Sequence, residues 1–328
     1  MTSPTVKSQR IDEGIERGAP ITRSDIWHDD GSVVLQVETT QFRVHWGVLR
    51  LHSSFFRQMQ GLPQPSDQPM VDGCPVIELS DDLVDVQYLL KALYFPTFVA
   101  ATALPLQAVG ALIRLGRKYD FADLLNSAVG RLTFENPTTI EEVDALVALQ
   151  SGGWYSPTRI LGYPGVLFDM LTLARENNIT SVLPCAYYRV LLQHTLMQIL
   201  DGIPRGDGTT ASLAAVDQRR CILSLDTIKK VRFDSGYSLG WLQKWDYGTG
   251  SDCASPKRCN QARSSQLHSY IGDLWIFRRN IHREQNLFCP ACNRHANEAT
   301  DIGRQKLWAD LPQLLDLPPW SELKKNDL

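Results

Sequence analysis

The residues with the clearest capacity for chemistry are cysteines in the C-terminal part of the chain. Of the seven cysteines, four fall within forty residues, whereas three occur in the preceding 252 residues. They form two pairs: "CASPKRC" has the spacing C-x5-C, and "CPAC" has the spacing C-x2-C with a proline inside the turn. Two thiolates that project from one tight turn suit tetrahedral zinc. The sequence therefore predicts one structural zinc ion with four ligands: Cys253, Cys259, Cys289 and Cys292.

The alternative is that these four residues are ordinary reduced thiols without a metal. Twenty-nine residues separate the pairs, so a zinc site requires that the stretch "QLHSYIGDLWIFRRN" folds as a helix between them. His282 and His295 are substitute ligands, and Lys257, Arg258 and Arg294 would offset the negative charge of the thiolates. A closed four-thiolate site has no position for water, so it predicts a structural metal and no hydrolysis.

A histidine between a strand pattern and a helix pattern is the other candidate for chemistry. His45 ends the stretch "FRVH", and its imidazole titrates near neutrality, as a catalytic base would. However, no cysteine or serine nucleophile with an orienting carboxylate is evident near it in the sequence. We therefore interpret His45 as a structural residue that hydrogen-bonds the backbone. We expect no enzymatic activity and no cofactor other than zinc.

The composition restricts the class of protein. The chain has 328 residues, 43% of them hydrophobic, which is enough for two domains with buried cores. A formal net charge of −3 argues against a protein that mainly binds nucleic acid non-specifically. The sequence shows no signal peptide and no apolar stretch of membrane-spanning length. We expect an intracellular protein, in the cytoplasm, the nucleus or both, with reduced cysteines and no membrane partner.

The first secondary structure that the sequence predicts is a β-hairpin. Val33, Leu35 and Val37 alternate with their neighbours, and Phe42 and Val44 resume that alternation after the polar connector "ETTQ". A period of two places these side chains on one face of each strand. The sequence therefore predicts a hairpin with one buried face.

Helical patterns follow the hairpin. We predict a helix from about Trp46 to Met59, a third strand in "PVIELSD", and then three helices. The first of these ends at Pro96, the second begins near Pro105, and the last ends before Pro137. This order predicts a small α+β unit, whereas the remainder of the chain reads as mostly α-helical.

This order of elements resembles the BTB/POZ domain. "VIELSDD", "LLKALYFP" and "LGRKYDFADLLNSA" resemble its later strand and helices. The other matching positions are Asp30, Phe42, Val44, His45, Leu49, Ser53, Ser54, Phe55 and Phe56. The resemblance implies a small sheet packed on a helical bundle. It also implies that Asp30, His45, Leu49, Ser53, Phe55 and Phe56 form the structural or interaction signature of the domain.

The remaining sequence resembles one group of BTB proteins. "LARENNITSVLPCAYYR" and "GRQKLWADLPQLLDLPPWSEL" are similar to the long C-terminal region of BTB proteins from mushroom-type (basidiomycete) fungi. The prolines of the second stretch predict a packed clamp without one continuous helix. We divide the chain into a disordered N-terminal tail, a BTB/POZ domain, a helical domain and a C-terminal segment with the zinc site: residues 1–24, 25–135, 136–250 and 251–328.

The resemblance implies a non-enzymatic protein–protein interaction module. In this hypothesis the BTB domain recruits partner proteins, including a second copy of itself, and the helical C-terminal region recognises a second target. One alternative is the substrate adaptor of a cullin-type ubiquitin ligase, although the loop "YFPTFVAATALPLQ" lacks the glutamate that this role usually requires. The other alternative is a DNA-associated transcriptional regulator, because the stretch between Lys257 and Trp308 contains nine Lys/Arg but only four acidic residues.

Overall fold

The chain forms a small mixed β-sheet followed by a larger helical region in the computed structural model. The structure describes residues 20–59, 61, 67–148, 155–243, 252–270, 274, 276–277, 287–324 and 327. The predicted fold class is confirmed, because an N-terminal α+β unit precedes a mostly helical C-terminal region. Among the described residues, no helix is both long enough and apolar enough to cross a membrane.

Five strands form the sheet: β1 (Thr22–Trp27), β2 (Val33–Val37), β3 (Thr40–Val44), β4 (Met70–Val71) and β5 (Cys74–Leu79). Their order across the sheet is β1-β3-β2-β5-β4. The predicted hairpin is confirmed, because β2 and β3 are antiparallel and Val37 pairs with Thr40. The turn between them places Glu38 in the left-handed region at φ 50°. The third predicted strand, β5, lies parallel to β2 in the middle of the sheet.

Strand β1 corrects the predicted tail. The composition predicts disorder over residues 1–24, of which 1–19 lie outside the described residues. The strand begins at Thr22 and pairs in parallel with β3 at the edge of the sheet. Within β1 only Ile26 is buried, so no apolar alternation marks the strand in the sequence. An edge strand needs few buried side chains, because only one of its sides is paired.

The helix predicted from Trp46 to Met59 is divided in two. Helix α1 covers Trp46–His52 and α2 covers Ser54–Met59. Between them Ser53 adopts an extended backbone, with φ −135° and ψ 126°. The apolar positions on both sides have a helical period, so the sequence pattern does not reveal this break.

Four helices complete the N-terminal unit: α3 (Leu83–Tyr94), α4 (Pro96–Ala100), α5 (Leu106–Lys118) and α6 (Ala122–Glu135). The Asp82 carboxylate caps α3 by accepting hydrogen bonds from the backbone N–H groups of Val84 and Asp85. Three helices were expected here, and α4 is the additional one. Pro96 ends α3 as predicted but also opens α4, because proline fits the first position of a helix.

The C-terminal region contains the remaining helices: α7 (Ile140–Ala148), α8 (Val166–Glu176), α9 (Leu183–Gln193), α10 (Leu196–Asp201), α11 (Ala215–Val231), α12 (Gly240–Gln243), α13 (Pro256–Tyr270), α14 (Pro290–Leu314) and α15 (Trp320–Leu323). The stretch "GIPRGDGTT", which reads as a loop, forms a short hairpin of β6 (Ile203–Pro204) and β7 (Thr210–Ala211). Strands of two residues are too short to show alternation, so the sequence analysis missed them.

One apolar core joins the N-terminal unit to the helical region. Buried side chains of α5 and α6 form one cluster with those of α8 and α9 and with the second half of α14. Leu104 before α5 and Ile160 before α8 also form a parallel β-bridge between the two parts. The two parts of the chain are therefore held together by a shared core and not only by a linker.

A second, smaller core lies around the cysteines. It combines Phe233 and Trp241 from the predicted helical domain with Cys259, Phe288 and Cys292 from the predicted C-terminal segment. The second half of α14, by contrast, packs in the main core. The predicted border at residue 250 therefore does not separate the two cores.

The closing segment packs on the main core, in agreement with the predicted clamp. Trp308 and Trp320 stack with their ring centroids 5.5 Å apart, and the Trp320 indole donates to the Trp308 carbonyl oxygen. Pro312 does not interrupt α14, which contains it in its last turn. The helix ends two residues later, and Asp316 then adopts a left-handed conformation.

Candidate metal centre and the strand–helix junction

The four predicted ligand cysteines converge in space. Their Sγ atoms all lie within 4.8 Å of one another. The Sγ atom of Cys253 lies 3.4 Å from that of Cys292 and 3.9 Å from that of Cys289. Zn–S bonds of about 2.3 Å would place tetrahedral ligand sulfurs about 3.8 Å apart. The sulfurs therefore have the separation that a tetrahedral ion requires, whereas a disulfide requires an S–S distance of about 2.0 Å.

Both cysteine pairs lie at helix N-termini. Cys289 is the N-cap of α14 and Cys292 lies in its first turn, while Cys259 lies in the first turn of α13. The backbone N–H of Cys289 donates a hydrogen bond to Sγ of Cys259 over 3.3 Å. The positive ends of two helix dipoles thus face the cluster and stabilise negative charge there. The sequence pattern predicts no helix boundary at these positions and so does not reveal this contribution.

The environment of each thiol changes its ionisation. A hydrogen bond from the backbone N–H of Cys292 lowers the pKa of the Cys289 thiol to about 6. Burial raises the pKa of the Cys259 and Cys292 thiols. A bound metal ion holds all its cysteine ligands as thiolates, so a divalent cation would offset the unfavourable burial of these charges. The donor set therefore fits a soft divalent ion such as zinc.

The second core fixes the position of the cysteine cluster. The indole N–H of Trp241 donates to Oγ1 of Thr300 over 3.0 Å, which ties α12 to α14. The Trp241 ring also packs edge-on against Phe288, directly before the second cysteine pair. Trp241 and Phe288 are both buried, so they exclude water from one side of the cluster.

The other described residues that the sequence places around the metal are not part of the cysteine cluster. His295 lies on α14 but does not belong to the cluster of four cysteines, and His282 lies outside the described residues. Lys257, Arg258 and Arg294 are exposed beside the cluster. Of the helix predicted over residues 266–280, the first five residues form the end of α13, whereas Leu274, Ile276 and Phe277 are not helical, so the prediction is wrong at these three residues. The other residues of this stretch lie outside the described part of the chain.

The remaining cysteines lie elsewhere in the fold. Cys74, Cys185 and Cys221 are buried and free of disulfides, as the sequence analysis predicted. Burial raises the pKa of the Cys185 thiol and raises that of Cys221 to about 12. The Cys185 and Cys221 thiols are therefore protonated and unreactive at neutral pH.

The junction histidine is bound on both sides of its ring. Nε2 of His45 lies 3.1 Å from a carboxylate oxygen of Asp30, and Nδ1 lies 3.1 Å from the hydroxyl of Tyr94. The backbone N–H of His45 donates to the same hydroxyl over 2.8 Å. The contact with His45 lowers the pKa of the Asp30 carboxyl. These bonds fix the end of β3 against the last turn of α3, as a structural histidine would.

Ser53 holds the break between α1 and α2. Its side chain is 1% exposed, and its hydroxyl donates to the carbonyl oxygen of Tyr119 over 2.6 Å. Oγ of Ser53 also accepts a hydrogen bond from the backbone N–H of Phe56 over 3.1 Å, which caps the start of α2. Ser53 therefore joins the end of α5 to α2. Leu49 and Phe56 are buried on the two sides of this contact.

Comparison with known families identifies the N-terminal unit. The BTB/POZ domain family matches residues 29–133, which are 105 of the 328 residues. Residues 29–133 form a BTB/POZ domain. The match begins after β1 and ends within α6. A search of curated proteins finds no match to the chain. BTB domains are protein–protein interaction modules, and many of them dimerise.

The surface of the BTB domain carries apolar side chains at the two short helices. Leu51 on α1 is 69% exposed and Phe55 on α2 is 41% exposed. Phe55 packs edge-on against Phe56, so one ring of the pair lies in the core and the other faces outward. Of the predicted signature, Leu49, Ser53 and Phe56 are therefore buried and His45 is bonded on both sides, whereas Phe55 is partly exposed; an interaction role for these residues stays a prediction.

Proposed function

We propose that this protein is a non-enzymatic scaffold. Its BTB domain recruits partner proteins, and its helical C-terminal region recognises a second target. The proposal includes an intracellular location, in the cytoplasm, the nucleus or both. The likeness to BTB proteins of mushroom-type fungi also belongs to this proposal. The observation that carries it is that, within a BTB domain, the polar side chains at the strand–helix junction are bonded to backbone and neighbouring side-chain groups.

Those polar side chains are occupied by backbone and neighbouring groups. The His45 ring is held between Asp30 and Tyr94, and the Ser53 hydroxyl bonds two backbone groups. A catalytic base or nucleophile must instead reach a substrate. This arrangement supports a scaffold, in which the junction fixes the shape of the surface around it.

The shared core supports a two-sided role. Because the cores of α5 and α6 continue into α8, α9 and α14, a partner on the BTB domain and a target on the helical region would be held at a fixed separation. Structural zinc at the four cysteines belongs to this proposal as well. It would hold α13 and α14 to the second core, because metal binding contributes to the free energy of folding.

A second copy of the chain is the first partner to test. Leu51 and Phe55 form the exposed apolar face of α1 and α2, and exposed apolar patches mark interaction sites. We expect the purified protein to be a dimer in sizing chromatography with light scattering, and Leu51→Glu to shift it to a monomer. Leu223→Glu, on the exposed face of α11, is the matched control and should leave the dimer intact.

The opposite outcomes are informative. The recruiting role of this face is rejected if the wild-type chain is monomeric at every concentration and the Leu51→Glu variant binds the same partner proteins as the wild type. The two alternatives have their own signatures. A cullin adaptor would co-purify with a cullin, and a DNA-associated regulator would be retained on heparin and released by moderate salt.

A further inference from the structure

A cleft of about 650 Å³ lies on the seam between the BTB domain and the helical region. One wall is a face of α5 and the opposite wall is a face of α8. Residues on α5 recur at Leu106, Gly110 and Arg114, and residues on α8 recur at Asp169, Leu173 and Glu176. Spacings of three and four residues place each set on one side of its helix. The cleft is therefore a groove between two helices.

The groove has the dimensions of a short peptide. Arg114 lies eight positions after Leu106 on α5, which is about 12 Å along a helix axis. An extended peptide covers that length with about four residues. The volume also falls in the range of about 300–1,000 Å³ that is typical of ligand sites.

Apolar side chains line the groove and its rim. Leu106 and Leu173 are buried in its walls, whereas Leu161 and Tyr163 beside them are 49% and 37% exposed. Gly110 allows α5 and α8 to approach, because an added Cβ there would lie 2.9 Å from Cδ1 of Leu173. The groove therefore offers an apolar surface that the described part of the chain leaves open.

The charges around the groove favour a cationic ligand. Arg114 is neutralised by Asp85 through two hydrogen bonds of 2.7 Å, and Arg205 is neutralised by Asp169 at 2.5 Å. The remaining carboxylates of the lining are those of Glu176 at one end and Asp207 at the end near Arg205.

Each of these two carboxylates lies near an arginine of the lining, Arg114 or Arg205, that another carboxylate already neutralises, so the lining keeps a negative charge at both ends. Asp207 accepts hydrogen bonds from the backbone N–H and hydroxyl of Thr209, and these bonds lower the pKa of its carboxyl, so it stays ionised. Glu176 is exposed, and its contact with Arg175 is long, at 3.7 Å. A negative charge thus lies near each end of an apolar groove.

We propose that this groove binds a short segment of a partner protein in which apolar residues are flanked on both sides by arginine or lysine. The proposal deepens the proposed function, because it places the second target at the seam and assigns its chemistry. It rests on that function only in treating the helical region as a recognition surface. Electrostatic complementarity at the two ends would fix the register of the peptide.

Gly206 allows the groove to be filled without disturbing the fold. It lines the groove at the turn of the β6–β7 hairpin, and an added Cβ there would have no atom within 4 Å. A Gly206→Trp side chain can therefore be added at the lining of the groove without a clash at its Cβ, and we use it to obstruct the groove. Gly130 on α6 is equally open and lies outside this groove, so Gly130→Trp is the matched control.

The experiment measures the binding of fluorescein-labelled decapeptides to the full chain by fluorescence polarisation. The probe has two leucines flanked by arginines, and its counterparts carry glutamine or glutamate instead of arginine. We expect the arginine peptide to bind and Gly206→Trp to weaken it at least about tenfold. The double variant Glu176→Gln/Asp207→Asn should weaken it about tenfold, from two exposed ion pairs. Glu298→Gln, an exposed change on α14, should leave binding unchanged.

Three results would overturn the proposal: no binding of the arginine peptide, equal binding of the glutamine or glutamate peptide, or wild-type affinity in Gly206→Trp. Leu51→Glu separates this proposal from the preceding one. If this variant and the wild type are both monomeric but bind the peptide equally, self-association fails while the groove stands. If the wild type dimerises but binds no peptide, the groove alone is rejected.

Discussion

The backbone N–H of Cys289 donates a hydrogen bond to Sγ of Cys259 over 3.3 Å, across thirty positions of the sequence. This bond brings the N-terminal ends of α13 and α14 to one point. It also orients the first cysteine pair toward the second without the help of a metal ion. The cysteine cluster is thus assembled by helix packing around Trp241 and Phe288 as well as by ligand chemistry.

Zinc content is the first prediction. Because four sulfurs lie at tetrahedral separation, we expect freshly purified, reduced protein to contain one zinc ion per chain by mass spectrometry of the metal. The double variant Cys289→Ser/Cys292→Ser should contain none. Cys221→Ala, which removes a thiol buried in the main core, is the control and should retain zinc. Wild-type protein without stoichiometric zinc would refute the four-cysteine site.

Metal removal should affect the two cores differently. The second core depends on α13 and α14 being held together, whereas α5 lies in the main core. With a chelator, we expect amide hydrogen exchange to increase by at least about tenfold around Cys292 and Ala296, from local opening. Exchange at Leu112 and Ile113 should remain unchanged. Simultaneous exposure of both regions would show that the metal supports the whole chain.

Two neighbouring serines provide a matched pair for stability. Ser53→Ala removes a buried hydroxyl that bonds the Tyr119 carbonyl oxygen and the Phe56 N–H. We expect the free energy of unfolding to fall by about 1–3 kcal/mol in urea denaturation, because two buried backbone groups lose their partner. Ser54→Ala removes an exposed hydroxyl that bonds Asp120, and it should cost less than about 1 kcal/mol. Equal losses would contradict the assigned role of Ser53.

A buried arginine on α14 should be important for the attachment of that helix. Arg304 is 3% exposed, and its guanidinium donates to the Phe277 carbonyl oxygen over 2.8 Å and to the Asp144 carboxylate over 2.5 Å. Arg304→Met removes the guanidinium that bonds both of these groups, so we expect a loss of about 3 kcal/mol in the free energy of unfolding. Arg294→Met, an exposed change on the same helix, should change the free energy by less than about 0.5 kcal/mol. Similar values for the two variants would exclude this role for Arg304.

Alkaline titration tests the contact between Asp81 and Tyr119. The pKa of Tyr119 is raised from the ordinary value of 10.0 to about 12. The larger cause is burial, and the smaller one is a hydrogen bond to the Asp81 carboxylate. The folded state therefore retains a proton that the unfolded state releases, and the stability contributed by Tyr119 is lost as pH rises from about 10 to 12. Difference absorbance should show a late-ionising tyrosine that is absent in Tyr119→Phe. Ionisation of Tyr119 near pH 10 would contradict the burial of its hydroxyl.

Local patterns of the sequence were sufficient for several elements. The alternation of Val33, Leu35 and Val37 predicted β2, because side chains on one face of a strand have a period of two. The apolar period of α5 predicted its buried face, and the spacing C-x2-C predicted a ligand pair. The division of the helix at Ser53 could not be predicted from local patterns. It depends on a hydrogen bond from Ser53 to the carbonyl oxygen of Tyr119, which is 66 residues away.

The sequence by itself determined the BTB/POZ order of elements and the four candidate ligands, since both follow from residue type and short spacing. Only the tertiary structure decided which distant residues meet. The sulfurs of Cys253 and Cys292, separated by 39 positions, approach because α13 and α14 pack on the second core. The groove along the contact of α5 with α8, where Gly110 meets Leu173, likewise exists because two distant helices share the main core. Burial of apolar surface brings such elements together without regard to their separation along the chain, so no local pattern records the contact.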